Sequence, residues 1–297
     1  KIAVVGAGPA GLAAATTLAG RGHKVTLFEA SDEIGGQFNM AKRIPGKEEF
    51  YETLRYFGRQ IELTGVDLRL NTTASVESLQ ADAYDEVIIC TGVNPRVPEL
   101  DGIKHKKVVS YIDVLYGRKK IGKSVALIGA GGIGFDVAEF LSHEGKSPAT
   151  DPVLFAEEWG IDMTLKNRAG LQPADPEPSP REIYLLQRKD DKVGRGLGKT
   201  SGWAHRASLQ SKQVQMMPGV SYDRIDDEGL HITVDNQPKL LPVDHVVICA
   251  GQTCNRALAD ELEAAGITSH VIGGANLAAE LDAKRAIKEA SELAAQL

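Results

Sequence analysis

The chain has 297 residues, 42% of them hydrophobic, and carries a formal net charge of −6. That length supplies two cores of ordinary domain size. An acidic balance without a dominant basic face argues against a nucleic-acid partner, and no apolar run is long enough to span a bilayer.

From the N-terminus, Ile2-Ala3-Val4-Val5 is a short apolar run predicted to be a strand. Leu12 to Ala19 is alanine-rich without a breaker and is predicted to be a helix. Between them stands Gly6-Ala7-Gly8-Pro9-Ala10-Gly11. Gly6 permits the tight turn, Gly8 lets the backbone approach a pyrophosphate, and Gly11 lets the helix pack close to the strand. The helix start then offers unpaired N–H groups and the positive end of its dipole to phosphates. A second strand, Val25-Thr26-Leu27-Phe28, runs into Glu29 and Ala30, with Glu29 eighteen residues past Gly11. An acid there accepts the hydroxyls of an adenosine ribose and repels a 2′-phosphate. Strand, turn, helix, strand and acid in this order point to a bound adenine dinucleotide; the bland reading is the same fold without its ligand. The alanine-rich start imitates a signal sequence, but the embedded glycines explain it better.

The same grammar returns later. Ser124-Val125-Ala126-Leu127-Ile128 is the strand, Gly129-Ala130-Gly131-Gly132-Ile133-Gly134 the turn, and Phe135 to Leu141 opens the helix. Two such fingerprints in one short chain imply two dinucleotides held face to face, as a flavin-linked nicotinamide oxidoreductase requires. The next strand, Glu182-Ile183-Tyr184-Leu185-Leu186, ends in Gln187-Arg188-Lys189. Two cations where the adenosine ribose should lie favour a 2′-phosphate, hence NADP(H) over NAD(H). A solvated basic turn is the alternative. Gly134 stands where NADP sites often carry alanine, so the signal is mixed.

Between the second helix and its strand, residues 142–180 are rich in Pro, Asp, Glu and Gly and read as a surface insert, with one short helix near Phe155 to Trp159. Trp159 pins this loop to its own domain or anchors an interface. Gly194 to Thr200 resembles a phosphate loop but fails the Walker spacing. It reads as a glycine-rich loop near the nicotinamide nucleotide, with Lys199 a weak candidate and His205 and Arg206 structural.

Tyr84 to Gly92 and Val243 to Gly251 share an acid, an apolar strand and a small residue before glycine. The repeat therefore covers two α/β units. A glycine-flanked strand from Ser269 to Gly274 and an amphipathic helix from Asn276 to Leu297, with Leu277, Leu281, Ile287 and Leu293 apolar, close the chain. They most simply return to complete the first unit. The fold class is α/β, with two Rossmann-like dinucleotide-binding domains, the second inserted into the first. Residues 1–103 and 250–297 form one domain, and residues 104–249 the other.

Cys90, Cys249 and Cys254 form no CxxC pair. They suit a reduced, cytoplasmic compartment and no metal centre. No redox disulfide is available to take electrons from a flavin, so electrons must leave for an acceptor outside the chain.

Several stretches resemble a known family. Glu33 to Phe38, Ile44 to Arg55, Glu158 to Asp162, Gly196 to Trp203, Cys249 to Gln252 and Glu280 to Ile287 are together similar to the C-terminal part of bacterial NADPH-dependent 2,4-dienoyl-CoA reductase, related to the trimethylamine dehydrogenases. The likeness covers essentially the whole chain. It implies FAD and NADPH in this part, and a preceding barrel with FMN, an iron–sulfur cluster and the acyl-CoA site. The chain begins directly on a strand and so resembles a detached C-terminal portion. Gly6, Gly8, Pro9, Ala10, Gly11, Glu29 and Ala30 would serve the FAD adenosine and pyrophosphate. By resemblance, Gly36, Gln37, Thr91, Gly92 and Asn276 line the rest, and the helix from Asn276 aims its positive end at the flavin. Gly129, Gly131, Gly132, Ile133 and Gly134 would hold the NADP(H) pyrophosphate, with Arg188 and Lys189 on the 2′-phosphate. No side chain is assigned to acid–base catalysis, because hydride transfer draws on the cofactors' own chemistry and on stacking nicotinamide C4 over flavin N5. Two departures stand out: Asn276 replaces the family's usual acid, and Thr253-Cys254 stands where proline is common. Two other readings stay open, a free-standing flavin reductase for a soluble carrier and a non-catalytic module that holds ADP.

Overall fold

The computed structural model describes residues 1–279 and 282–297. They divide into two compact units: Lys1–Asn39 with Glu49–Pro95 and Gln252–Leu297, and Met40–Glu48 with Arg96–Gly251. Among the described residues no helix is long and apolar enough to cross a membrane.

The first unit is built on a five-stranded parallel sheet. Its strand order is His270–Val271, Glu86–Ile89, Ile2–Val5, Val25–Phe28 and Asp67–Arg69. Every residue of Ile2–Val5 and Val25–Phe28 is buried. A parallel strand covered on both faces has no polar side to show, which is why Ile2–Val5 reads as an unbroken apolar run and Val25–Phe28 as one interrupted only by Thr26, whose hydroxyl donates to Asp67 at 3.3 Å. Helix Pro9–Gly20 packs against helix Ala283–Gln296, and Ala10, Ala13 and Ala14 share a core with Ala286, Ala290 and Ala294. Alanines let the two helix backbones approach closely while still burying apolar surface.

The closing helix corrects the sequence expectation. It begins at Ala283, not near Asn276, because the Asp282 carboxylate caps it by accepting the Arg285 N–H at 2.7 Å. Its buried stripe is Ala286, Ala290 and Ala294. Leu277 lies outside the helix and is half exposed, and the expected helix positions Glu280 and Leu281 fall outside the described residues. The expected strand from Ser269 to Gly274 shortens to His270–Val271, followed by a 3-10 turn, Gly273–Ala275.

The second unit repeats the plan. Its parallel sheet runs Val108–Ser110, His245–Ile248, Ser124–Ile128, Glu182–Leu186 and Gln215–Met217. Strand for strand it matches the first sheet, with the fingerprint strand in the middle of each. A three-stranded antiparallel sheet, Ser221–Ile225, Leu230–Val234 and Gln237–Leu241, is added between the last two sheet positions in the chain. The two-residue loop Asp235-Asn236 closes one hairpin with both residues at positive φ, the backbone that a type I′ turn needs. Met40–Glu48 joins this unit through Ile44, 3% exposed in its core, and through Lys47 Nζ, 2.7 and 2.8 Å from the two Asp136 carboxylate oxygens.

The insert carries local structure of its own. Helix Pro152–Trp159 is capped by Asp151, which accepts the Val153 and Leu154 N–H groups, and the Asp162 carboxylate gathers the N–H groups of Thr164 and Asn167. Trp159 meets Trp203 edge-on at 6.4 Å, so it pins the insert to its own unit.

Candidate dinucleotide-binding sites

Gly6 has φ +103°, and a Cβ there would collide with the Cys90 carbonyl oxygen. At Gly11 a Cβ would collide with the carbonyl oxygen of Gly6. In the second fingerprint Gly129 has φ +109° and abuts the Cys249 carbonyl, and Gly134 abuts the Gly129 carbonyl. The same two collisions therefore fix the same two glycines in each unit. The internal repeat extends to atomic contacts.

The remaining glycines face outward. Nothing lies within 4 Å of a Cβ built on Gly131 or Gly132, and a Cβ on Gly8 meets only the Gly36 backbone, at 4.0 Å. Helices Pro9–Gly20 and Gly132–Ser142 start behind Gly8 and Gly131, and neither has a side-chain cap. Helix starts leave several N–H groups without an internal acceptor. An anion placed there gains about 0.3–1 kcal/mol from the dipole, besides its hydrogen bonds. Open glycine backbone before an uncapped helix fits a dinucleotide pyrophosphate in both units.

Around the first fingerprint the structure gathers most of the residues the sequence singled out. Glu29 Oε2 accepts the Ala7 N–H at 2.8 Å, and its Oε1 accepts the N–H and O–H of Ser31 at 2.9 and 2.7 Å. The carboxylate is thus held at the fingerprint with acceptor capacity to spare; Ala30 beside it is exposed. Gly35 donates its N–H to the Ala7 carbonyl at 2.8 Å, and a Cβ on Gly36 would stand 3.0 Å from Gly8 Cα. Gln37 follows, exposed. Thr91 and Gly92 leave the strand beside Gly6, where the Thr91 hydroxyl donates to the Asn255 carbonyl at 2.6 Å and Asn255 N–H donates to Gly92 at 2.9 Å.

Asn276 is carried by a turn and not by a helix start. It ends the Gly273–Ala275 turn with its side chain exposed, and a Cβ on Gly273 would lie 3.0 Å from the Ala10 methyl. No long helix starts there, so the positive helix end expected behind Asn276 is absent among the described residues. Glu289 and Arg285 hold the turn instead, and neither was given a role from the sequence. Glu289 Oε2 accepts the Gly273 N–H at 2.7 Å, and Arg285 bonds Glu289 at 2.9 Å and the Ala279 carbonyl at 3.2 Å. The Arg285–Glu289 spacing on one helix face was the available signal.

In the second unit Gln187 takes the place of Glu29. Gln187 N–H donates to the Met217 carbonyl as Glu29 N–H does to Arg69. The Gln187 side chain folds the next turn, donating to Lys189 and Asp191 carbonyl oxygens at 3.0 and 2.9 Å and to Asp191 Oδ1 at 2.7 Å. Arg188 and Lys189 stand exposed on that turn. Asp190 and Asp191, also unremarked in the sequence, share it; Asp191 is committed to Gln187 and lies 3.7 Å from Arg195. Arg206 donates to the Gly194 carbonyl at 2.9 Å, while Lys199 is exposed. All three cysteines are free, and burial pushes the Cys90 and Cys249 thiols well above their ordinary range.

The chain belongs to the pyridine nucleotide-disulphide oxidoreductase family, whose profile matches residues 1–281. Proteins of this oxidoreductase flavoprotein family typically bind FAD and NAD(P). A metal reductase of Desulforamulus reducens is 30% identical over 289 residues, covering 93% of this chain and 41% of that protein. A bilirubin reductase of Mediterraneibacter gnavus is 27% identical over 97% of this chain and 39% of its own length. The solved complex of 2-naphthoyl-CoA reductase with 2-naphthoyl-CoA superposes on all of this chain with a TM-score of 0.84 and 27% identity, over 40% of that chain. The chain thus spans about two fifths of the length of these relatives.

Proposed function

We propose that the first unit holds FAD and the second NADPH, and that the chain carries the NADPH-to-FAD half-reaction of a larger reductase. The electrons then pass to an acceptor outside these residues, an FMN and iron–sulfur barrel domain as in 2,4-dienoyl-CoA reductase. Bound in these cradles, the flavin and nicotinamide rings supply the redox chemistry.

The chain's own residues bind and orient. Gly6, Gly8, Pro9, Ala10 and Gly11 present the first helix start to the FAD pyrophosphate, and Glu29 receives the adenosine ribose. Gly36, Gln37, Thr91, Gly92 and Asn276 border the rest of that ligand. Gly129, Gly131, Gly132, Ile133 and Gly134 take the NADPH pyrophosphate. Arg188 and Lys189 meet the 2′-phosphate, whose two negative charges a pair of cations offsets.

One observation carries this reading: the duplicated cradle with unlike ends. The same glycine collisions recur in both units, while an acid, Glu29, follows the first and two cations follow the second. An inert nucleotide module has no need to select a 2′-phosphate in one site and reject it in the other.

The test is the visible spectrum of the purified chain, followed by anaerobic addition of NADPH. A yellow protein, bleached readily by NADPH and slowly by NADH, is the expected result. A colourless protein that retains ADP overturns the reading in favour of a non-catalytic module.

A further inference from the structure

The antiparallel sheet that the second unit adds between its parallel strands brings one side chain to the nucleotide cradle. Tyr222, on strand Ser221–Ile225, donates its hydroxyl to the Leu186 carbonyl oxygen at 3.2 Å. That same carbonyl accepts the Gly129 N–H at 3.1 Å. A carbonyl has two acceptor sites, and here one holds the first glycine of the fingerprint while the other holds Tyr222. Leu186 also leads, through Gln187, into Arg188. One carbonyl therefore joins the pyrophosphate turn to the cationic turn.

The repeat supplies an internal comparison. In the first unit Gly6 N–H bonds the Phe28 carbonyl at 2.8 Å, matching Gly129 and Leu186. Tyr84 packs edge-on against Phe28 there, yet its hydroxyl goes to Asp82 at 3.1 Å. The tyrosine bond to the strand-end carbonyl is thus an addition in the second unit. Tyr222 is half-buried against a core that includes Ile128 and Leu186. Burial pushes its hydroxyl up to about 12 despite the pull of Arg188, so it stays a donor at neutral pH.

We propose that Tyr222 is a positioning residue for the pyridine nucleotide, bracing the Leu186 carbonyl so that the Gly129 turn and Arg188 are set before the ligand arrives. This rests on the reading that the second fingerprint holds NADP(H). Tyr222 acts through backbone, not by touching the reacting atoms. Its loss loosens a preformed cradle and so weakens binding rather than the chemical step.

The experiment compares Tyr222→Phe with Tyr184→Phe in the flavin-loaded protein. Tyr184 lies on the neighbouring strand Glu182–Leu186, but its hydroxyl serves Glu182 at 2.6 Å. Calorimetric titration with NADP⁺ and stopped-flow reduction by NADPH are read together. Y222F is expected to raise the NADP⁺ Kd about 2- to 10-fold, the factor one hydrogen bond carries, with the saturating reduction rate and flavin spectrum unchanged. Y184F is expected to leave all three unchanged. An unaltered Kd in Y222F, or an equal rise in both variants, overturns the brace. If Y222F does not fold, amide exchange at Gly129 in the wild-type chain decides. Slow exchange before nucleotide is added supports the brace, and fast exchange that slows only with NADP⁺ overturns it. A wild-type chain that binds no NADP⁺ overturns the second-site reading itself, and the brace with it.

Discussion

Gly134 stands against the carbonyl oxygen of Gly129 so closely that no methyl group fits between them. Alanine at Gly134 therefore has to push the helix off its strand. The expected cost of Gly134→Ala is about 1–3 kcal/mol of stability, the usual range for overpacking. Gly131 is the opposite case: its φ of −82° suits any residue, and the space beside it is open. Gly131→Ala is expected to melt like wild type and to raise the KM for NADPH, because its methyl enters the space assigned to the pyrophosphate. Thermal melts and steady-state kinetics on the two variants check the contrast; a destabilised G131A with normal KM would contradict it.

Charge reversal on the cationic turn addresses the choice of nucleotide. Arg188→Glu places a carboxylate where a 2′-phosphate is expected, with Asp190 two residues further along the chain. The ratio of kcat/KM for NADPH over NADH is expected to fall about tenfold or more, or ~1.4 kcal/mol. An unchanged ratio removes Arg188 from the 2′-phosphate.

Glu139 supplies a pH test on the second fingerprint's own helix. It is 7% exposed, and its Oε1 accepts the Ser208 hydroxyl at 2.7 Å while Oε2 has no partner. Burial pushes its carboxyl up, against the pull of Ser208, His143 and His205. An acid raised in the folded state stabilises fully below its unfolded value, near 4.5, and loses that contribution as pH rises through the folded value. Glu139→Gln keeps an acceptor for Ser208 and removes the ionisation. Its Tm is expected to match wild type near pH 4 and to exceed it at pH 8. A lower Tm at pH 8 would contradict a carboxyl raised by burial.

The cysteines carry a simple chemical expectation. Cys90 and Cys249 are 6% and 5% exposed with thiols pushed up by burial, whereas Cys254 is half-buried. Iodoacetamide at pH 8 is expected to label the folded chain once, at Cys254, and the unfolded chain three times. Peptide mass spectrometry reads the sites, and label on folded Cys90 or Cys249 contradicts the burial.

The parts legible in the sequence were those that local backbone geometry dictates. Gly6, Gly11, Gly129 and Gly134 sit where positive φ or a neighbouring carbonyl excludes every side chain, so their spacing survives as a readable code. Strands buried on both faces, such as Ile2–Val5, announce themselves as apolar runs. The start of the closing helix was misplaced at Asn276, ahead of the Asp282 cap, because the Asn276–Ala279 stretch is apolar enough to imitate a helix start. The antiparallel sheet of Ser221–Leu241 went unassigned, since its outer strand Gln237–Leu241 is exposed at four of five positions and lacks an apolar signature. Tyr222 and Leu186 are 36 residues apart and meet through a tyrosine hydroxyl and a backbone carbonyl. No sequence pattern marks such a bond. The same holds for Glu289 and the Gly273 N–H, where the acceptor is a side chain and the donor a backbone amide.

The most direct measurement is the ligand count of one folded chain. Native mass spectrometry after incubation with FAD and NADP⁺ is expected to show one of each per polypeptide, with Gly8→Val removing only the FAD mass and Gly131→Val only the NADP⁺ mass. A chain that takes up a single dinucleotide, or loses both with either variant, would contradict two independent cradles and the half-reaction built on them.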